Sequence, residues 1–132
     1  MKTHVRLVAG ASPWERAVRI EREVQRCAGK KLTLLLSSEV FQCTTVAQQA
    51  ELFAQDEARK ARGVHVLRLS PGCPCCSSKL VLSTHLSRTL RLNQPEILLL
   101  ELETQAHPDQ VMETLSDPQW KPWFADITVV ED

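Results

Sequence analysis

The chain lacks any excess of charge of one sign, because sixteen lysine and arginine residues are matched by sixteen aspartate and glutamate residues. No block of like charge stands out, so neither nucleic acid nor an anionic membrane is an expected partner. No apolar run approaches the ~20 residues that a helix needs to span a bilayer. The first ten residues hold only a short apolar stretch, which contains His4 and Arg6. We therefore expect a cytoplasmic protein.

Repeats, low-complexity segments and linkers are also missing from the sequence. A chain of 132 residues fits one domain, residues 1–132. Such a domain buries roughly two-thirds of its unfolded surface and needs no disulfide in order to fold. The five cysteines are odd in number and follow no secretion signal. This argues against a disulfide framework and for metal or thiol chemistry with reduced cysteines.

Five short β-favouring runs alternate with helix-like segments. The first helical segment is amphipathic, because Ile20, Val24 and Cys27 follow Ala17 at helical spacing. The alternation predicts an α/β fold with a mostly parallel five-stranded sheet and helices on both faces. The predicted strands are Val5–Ala9, Leu32–Leu36, Val64–Leu69, Ile97–Leu102 and Ile127–Val130.

Three further helices are predicted, from about Thr45 to Arg62, from Ser78 to Leu92 and from Pro108 to Leu115. Parallel sheets place their sites beyond the carboxyl ends of the strands, so the loops after the first, third and fourth strands should share one edge. Glu101 and Glu103 are two residues apart at the end of the fourth strand, so they share one side of it. We expect both carboxylates to be exposed to solvent. The second helix is predicted to bury an apolar stripe of Val46, Ala50, Phe53, Ala54, Ala58 and Ala61.

Three of the five cysteines fall within four residues, in the segment Cys73-Pro74-Cys75-Cys76. Three soft thiolates on a short loop suit zinc or a related transition ion, because they converge with little reorganisation. The preceding Gly72 permits a tight backbone turn, and the start of the following helix favours negative charge. We predict a metal site at Cys73, Cys75 and Cys76. The fourth position is left to water, a carboxylate, another protein or a histidine such as His107.

Two other readings of these cysteines remain open. Cys73 and Cys76 form a C-x-x-C pair next to a helix start, which is typical of thiol redox proteins. Alternatively, the three residues pack a tight strand-to-helix turn, since free cysteine often behaves as a small buried hydrophobe. Of the remaining cysteines, Cys27 continues an apolar stripe and reads as core, whereas Cys43 is isolated in or near a loop.

Three motifs follow one another in a characteristic order: Gly72-Cys73-Pro74-Cys75-Cys76, then a Glu-x-x-x-x-Ala-x-Pro pattern from Glu101 to Pro108, then Asp117-Pro118. This order resembles the CobW-like family of metal-trafficking P-loop GTPases. The resemblance covers most of the chain and is strongest from Val64 to Pro118. It implies a P-loop NTPase-like fold and a metal ion as the species handled.

At the position of the family's phosphate loop, this sequence departs from the pattern G-x-x-x-x-G-K-[ST]. Counted from Gly10, the second glycine is Glu15, the lysine is Arg16 and the magnesium-binding hydroxyl is Ala17. Each change opposes phosphate or magnesium binding. The segment Ser12-Pro13-Trp14-Glu15 also reads as a capping box that satisfies the helix's own amides.

Two further motifs of nucleotide binding are altered. Thr104 and His107 stand where the family has glycine and aspartate, and the guanine-reading Asn-Lys-x-Asp would follow the fifth strand, where this sequence ends at Glu131-Asp132. We therefore expect a degenerate, truncated family member that does not use GTP and acts as a metal-handling or interaction module. A protein partner or a homodimer fits a three-ligand site. The alternatives are a thiol redox protein and a residual guanine-nucleotide-binding partner of a complete GTPase.

Overall fold

The computed structural model describes residues 2–69, 79–104 and 108–130. Five strands and four α-helices alternate along these residues, with two short 3-10 helices between them. The strands are β1 (Thr3–Val8), β2 (Leu32–Leu36), β3 (His65–Arg68), β4 (Ile97–Glu101) and β5 (Phe124–Val130). The helices are α1 (Pro13–Arg26), α2 (Val46–Ala61), α3 (Lys79–Asn93) and α4 (Pro108–Leu115), with 3-10 turns η1 (Glu39–Cys43) and η2 (Pro118–Trp120).

The five strands form one sheet in the order β3-β2-β4-β1-β5, and every neighbouring pair is parallel. The predicted five-stranded α/β fold is therefore confirmed. The two central strands β2 and β4 are buried along their whole length, as expected when helices cover both faces of a parallel sheet. Within the described residues, no helix is long and apolar enough to cross a bilayer.

Two apolar clusters lie on opposite faces of the sheet. On one face, Ile20 and Val24 of α1 pack against the sheet. On the other face, α3 and α4 contribute Leu86, Leu90 and Val111 to the larger cluster. Side chains alternate along each strand, so a run such as Ile97–Glu101 supplies both clusters. Burial of these side chains from both sides fixes the sheet and, with it, the edge at which β1, β2 and β4 end.

The predicted apolar stripe of α2 is wrong. All six of its residues are exposed, and Val46 and Phe53 retain 84% and 55% of their accessible surface. The helix instead buries Asp56 and Arg59. Asp56 accepts hydrogen bonds from Arg68 in β3, and Arg59 donates to Glu21 of α1 over 2.7 Å. Four of the stripe's six residues are alanines, which gain little from burial, so these ion pairs decide the orientation of the helix.

Candidate functional site

A buried arginine lies at the carboxyl edge of the sheet, where the loops after β1, β2 and β4 meet. Arg16 is fully buried. Its Nε donates to Oε2 of Glu101 over 2.9 Å, and its Nη2 donates to Oε1 of Glu39 over 2.6 Å. Its Nη1 donates to the carbonyl of Gly10 and to the hydroxyl oxygen of Thr104, each over 3.1 Å. One guanidinium thus joins three loops that are distant in sequence.

Glu101 ends β4 and is almost completely buried, with 5% of its surface exposed. Its Oε1 accepts a hydrogen bond from the backbone amide of Ser37 over 3.0 Å, while its other oxygen meets Arg16. Burial raises the pKa of this carboxyl, and the hydrogen bond and charge of Arg16 oppose that rise. The expectation of a solvated strand end is wrong for Glu101, because a cation placed 85 residues earlier in the chain compensates its burial.

Glu39 is the residue of this site that the sequence reasoning missed. It begins η1 directly after β2, and its Oε1 accepts both the Arg16 guanidinium and the backbone amide of Thr104. Burial acts to raise the pKa of Glu39, but the hydrogen bonds from Thr104 and Arg16 outweigh it and lower the pKa. The position of Ser37-Ser38-Glu39, polar residues at the carboxyl end of a buried strand, is the sequence pattern that points to it.

The loop between β1 and α1 closes around its own charged side chains. The Glu15 carboxylate accepts the backbone amide of Ala11 over 2.7 Å and the Arg19 guanidinium over 3.0 Å. Arg19 also donates to the carbonyl of Ala9. Ser12 caps α1 by accepting the amide of Glu15 over 3.2 Å, as predicted, but the Glu15 carboxylate bonds to the Ala11 amide and not to the Ser12 amide that a capping box would use. The Glu15 carboxylate therefore occupies the place at which a bound anion would accept a hydrogen bond from the Ala11 amide.

Gly10 makes the close packing of this loop possible. A Cβ atom at this position would lie 2.8 Å from Cγ of Arg16 and 3.0 Å from Nη1 of Arg19. The 2.8 Å contact is shorter than real Cβ atoms show, so a larger residue would displace the Arg16 side chain, whereas the 3.0 Å contact requires Arg19 to move by only a few tenths of an ångström. The glycine is thus required by the arginine-filled loop, independently of any bound phosphate.

The predicted metal ligands Cys73, Cys75 and Cys76, and also His107, lie outside the described residues. The last described residue before the cysteines is Leu69, whose amide donates to the carbonyl of Leu36 over 2.8 Å. The hydroxyl of Ser38 donates to the carbonyl of Leu69. Ser38 precedes Glu39 in sequence, so the chain leaves β3 next to the loop that holds Arg16.

The other two cysteines differ in exposure. Cys27 caps the C-terminus of α1 and is buried, and burial raises the pKa of its thiol, so its predicted place in the core is confirmed. Cys43 ends η1 with an exposed thiol that approaches the carbonyl of Val40 at 3.4 Å. Within residues 2–69, 79–104 and 108–130, no group of three or more His, Cys, Asp or Glu side chains is placed to hold a metal ion.

Comparison with protein families gives a match over most of the chain. The model described as the CobW/HypB/UreG nucleotide-binding domain matches residues 20–131. The chain belongs to this family. The resemblance drawn from the cysteine and Glu101–Pro108 motifs is therefore confirmed, as is the P-loop NTPase-like α/β fold. The match begins inside α1, four residues after Arg16.

One curated relative of this CobW-like chain is the zinc chaperone YeiR of Escherichia coli (strain K12). The two proteins are 33% identical over 62 residues, which are 47% of this chain and 19% of the relative. The matched segment therefore spans about a fifth of the relative's length.

Proposed function

We propose that this CobW-like domain handles zinc or a related transition ion on Cys73, Cys75 and Cys76, and that it does so without hydrolysing GTP. Family membership and the likeness to a zinc chaperone support the metal part of the proposal. The side chains that fill the loop after β1 support the non-hydrolytic part. On this proposal the whole described domain, with its altered phosphate loop, is a scaffold for the metal loop.

The chemistry of the three cysteines supports a transition ion as the species handled. Thiolates are soft ligands that bind zinc, copper(I) and similar ions and leave magnesium and calcium to oxygen ligands. Three protein ligands leave one tetrahedral position open, which a structural zinc site does not do. An open position lets an incoming ligand from a partner protein bind the ion before the cysteines release it. The open position therefore favours transfer over permanent storage.

The observation that carries the non-hydrolytic proposal is the position of Arg16. A phosphate loop presents free backbone amides and a lysine ammonium to the phosphates. Here the Ala11 amide donates to Glu15. The Arg16 guanidinium already donates hydrogen bonds to four residues of the protein, Glu101, Glu39, Gly10 and Thr104. A nucleotide would have to break these bonds and would meet the Glu15 carboxylate. The side chain of Ala17 has no oxygen with which to ligate magnesium.

Arg16 also supports the idea that the loops of this domain are held without a nucleotide. In P-loop GTPases the terminal phosphate and its magnesium ion order the neighbouring switch loops. Here the guanidinium contacts Glu39 after β2 and Thr104 after β4, so a protein side chain performs that ordering. Because Leu69 bonds to Leu36 and Ser38 in the same region, the metal loop would begin from a fixed position.

Native mass spectrometry tests the metal proposal directly. Freshly reduced wild-type protein is titrated with zinc beside two variants: the triple variant Cys73→Ser, Cys75→Ser, Cys76→Ser, and the control Cys43→Ser. The control removes one exposed thiol outside the motif. We expect one stoichiometric ion per chain, or one per two chains if a homodimer shares it, in the wild type and the control. The triple variant should bind none.

The same samples distinguish the competing readings of the cysteines. Failure of the wild type to bind zinc, together with ready formation of an internal disulfide between Cys73 and Cys76, would favour thiol redox chemistry. Equal zinc binding by the triple variant would exclude the motif as the metal site. Addition of GTP and magnesium should leave the mass of the protein unchanged. A stoichiometric nucleotide adduct would contradict the argument that the filled loop excludes nucleotide, and would favour the residual guanine-nucleotide-binding partner.

A further inference from the structure

A second concave site lies at the edge of the sheet opposite Arg16, where the strands begin. We call it the amino-edge cavity. It has a volume of about 500 Å³ and is lined by Val24, residues 27–32 and residues 62–64. The lining segments follow the C-terminal ends of α1 and α2 and lead into β2 and β3. Its volume falls within the range of cavities that bind small molecules in proteins.

The charged side chains that line this cavity are all cationic, namely Lys30, Lys31 and Arg62. None of the three makes a salt bridge with another residue in the described part of the chain. Arg62 contributes a little to the lowered pKa of Glu21, but that lowering comes chiefly from the hydrogen bond of Arg59 to the same carboxylate. Two carboxylates act on this region, Glu21 on Arg62 and Glu23 on Cys27, and each is paired with an arginine of its own, Arg59 and Arg26. The amino-edge cavity therefore presents three exposed cations that form no ion pair within the described residues.

Cations near helix C-termini often serve only to satisfy the last carbonyls of the helix. In both helices beside this cavity, backbone amides already perform that task. The amide of Lys30 donates to the carbonyl of Cys27, and the amide of Val64 donates to the carbonyl of Arg59, each over 3.0 Å. The amide of Arg62 likewise donates to carbonyls of the last turn of α2. The cationic side chains are thus not needed as caps.

Two glycines shape the walls of the cavity. Gly29 and Gly63 have φ angles of 86° and 90°, in the left-handed region that favours glycine. A Cβ atom at either position would meet no other atom within 4 Å. The glycines turn the chain sharply after each helix, and their lack of a side chain leaves the space beside the three cations open to a ligand.

We propose that the amino-edge cavity binds a small molecule with a multiply charged oxyanion group, either phosphate or clustered carboxylates, through Lys30, Lys31 and Arg62. Lysine ammonium groups act as point charges toward such oxygens, and a guanidinium presents a planar pair of donors. This proposal does not depend on the metal loop, which follows the carboxyl end of β3. It assigns the domain a second ligand at the opposite edge.

Selective labelling of glycine with nitrogen-15 gives a sharp test, because the chain has only four glycines, Gly10, Gly29, Gly63 and Gly72. Gly29 and Gly63 report on the amino-edge cavity, and Gly10 reports on the Arg16 loop. The reduced, metal-free full chain is titrated by NMR with pyrophosphate and, separately, with tricarballylate at constant ionic strength near the physiological value. We expect saturable shifts of the Gly29 and Gly63 amide signals and no shift at Gly10.

Two matched triple variants separate a site from general attraction of anions. The cavity variant carries Lys30→Gln, Lys31→Gln and Arg62→Gln. The control carries Arg88→Gln, Arg91→Gln and Lys121→Gln, which removes the same charge from exposed residues that do not line the cavity. We expect binding to weaken about tenfold or more in the cavity variant, because three charge-assisted contacts are lost, and to persist in the control.

Each outcome bears on the proposal. Saturation by pyrophosphate alone supports a phosphate ligand, and saturation by tricarballylate supports a carboxylate ligand. Absent or non-saturable shifts, or equal weakening in both triple variants, mean an adventitious ion only and overturn the proposal. A shift confined to Gly10 moves the anion to the Arg16 loop and also overturns it. If the cavity variant unfolds, as judged by circular dichroism, the single variants Lys31→Gln and Arg62→Gln must each weaken binding.

Discussion

Removal of the buried guanidinium, in the variant Arg16→Met, should destabilise the domain strongly. Methionine keeps most of the apolar volume of the side chain but leaves the Glu101 carboxylate, 5% exposed, without its cation. Breaking a buried ion pair from one side costs about 3–5 kcal/mol. We expect about 3 kcal/mol at pH 7, toward the lower end, because the Glu39 side chain is 24% exposed and regains some hydration.

Urea unfolding followed by circular dichroism measures this loss of free energy, with the exposed Arg91→Met as the matched control. The control should change stability by no more than about 0.5 kcal/mol. In the double variant Arg16→Met, Glu101→Gln, the uncharged amide oxygen still accepts the Ser37 amide, so more than about 1 kcal/mol of the loss should return. A loss below about 1 kcal/mol for Arg16→Met alone would refute the reasoning that the network stabilises the carboxyl edge.

The pH dependence of the same variant follows from the two carboxyl groups. The folded-state pKa of Glu101 is raised, so its contribution to stability is present below the unfolded pKa and declines as pH rises through the folded pKa. Loss of Arg16 raises that pKa further. The pKa of Glu39 is lowered, so its contribution is present above the unfolded pKa and disappears on acidification. The difference in unfolding free energy between wild type and Arg16→Met should therefore narrow from pH 7 to pH 5 through Glu101 alone, because the lowered pKa of Glu39 places its loss below its ordinary value of 4.5, outside this window.

Three smaller predictions test the packing of the fold by urea unfolding. Gly10→Ala should cost about 1–3 kcal/mol, because its Cβ would lie 2.8 Å from Cγ of Arg16; an unchanged midpoint would contradict the close contact. Asp56→Asn should cost about 2–3 kcal/mol, since it weakens a largely buried pair with Arg68. Ala58→Glu should change stability by no more than about 0.5 kcal/mol, because Ala58 faces solvent; a loss of several kcal/mol would restore the predicted apolar stripe.

Much of the sheet was predictable because its strands are continuous apolar runs. The predicted and observed bounds of β2 agree at both ends, and those of β4 differ by one residue. Runs of this kind have few alternatives to burial in a parallel sheet. The same local pattern failed for α2, where alanine periodicity suggested a buried face. Its orientation depends on ion pairs from Asp56 to β3 and from Arg59 to α1, and sequence spacing does not encode such partners.

The carboxyl-edge network was only partly predictable for the same reason. Local spacing from Gly10 predicts that Arg16 stands at the position of a phosphate-loop lysine. Its partners Glu39 and Glu101 are 23 and 85 residues away. Their roles emerge only when parallel strands bring their carboxyl ends to one edge. Its charge alone predicts that the Glu101 carboxylate is exposed to solvent. Sequence spacing does not reveal the cation, Arg16, that compensates the burial of this carboxylate.

The permanence of the Arg16 network has a consequence for the proposed transfer of metal. In GTPases the loops around the site are released when hydrolysis removes the phosphate that holds them. Arg16, Glu39 and Thr104 are all part of this protein chain. No hydrolytic step therefore removes the group that holds the two loops together. On the proposed function, release of the ion must then be driven by a competing ligand that enters the open fourth position. The rate of zinc transfer should accordingly depend on the concentration and thiolate content of the acceptor and stay unchanged when GTP is added.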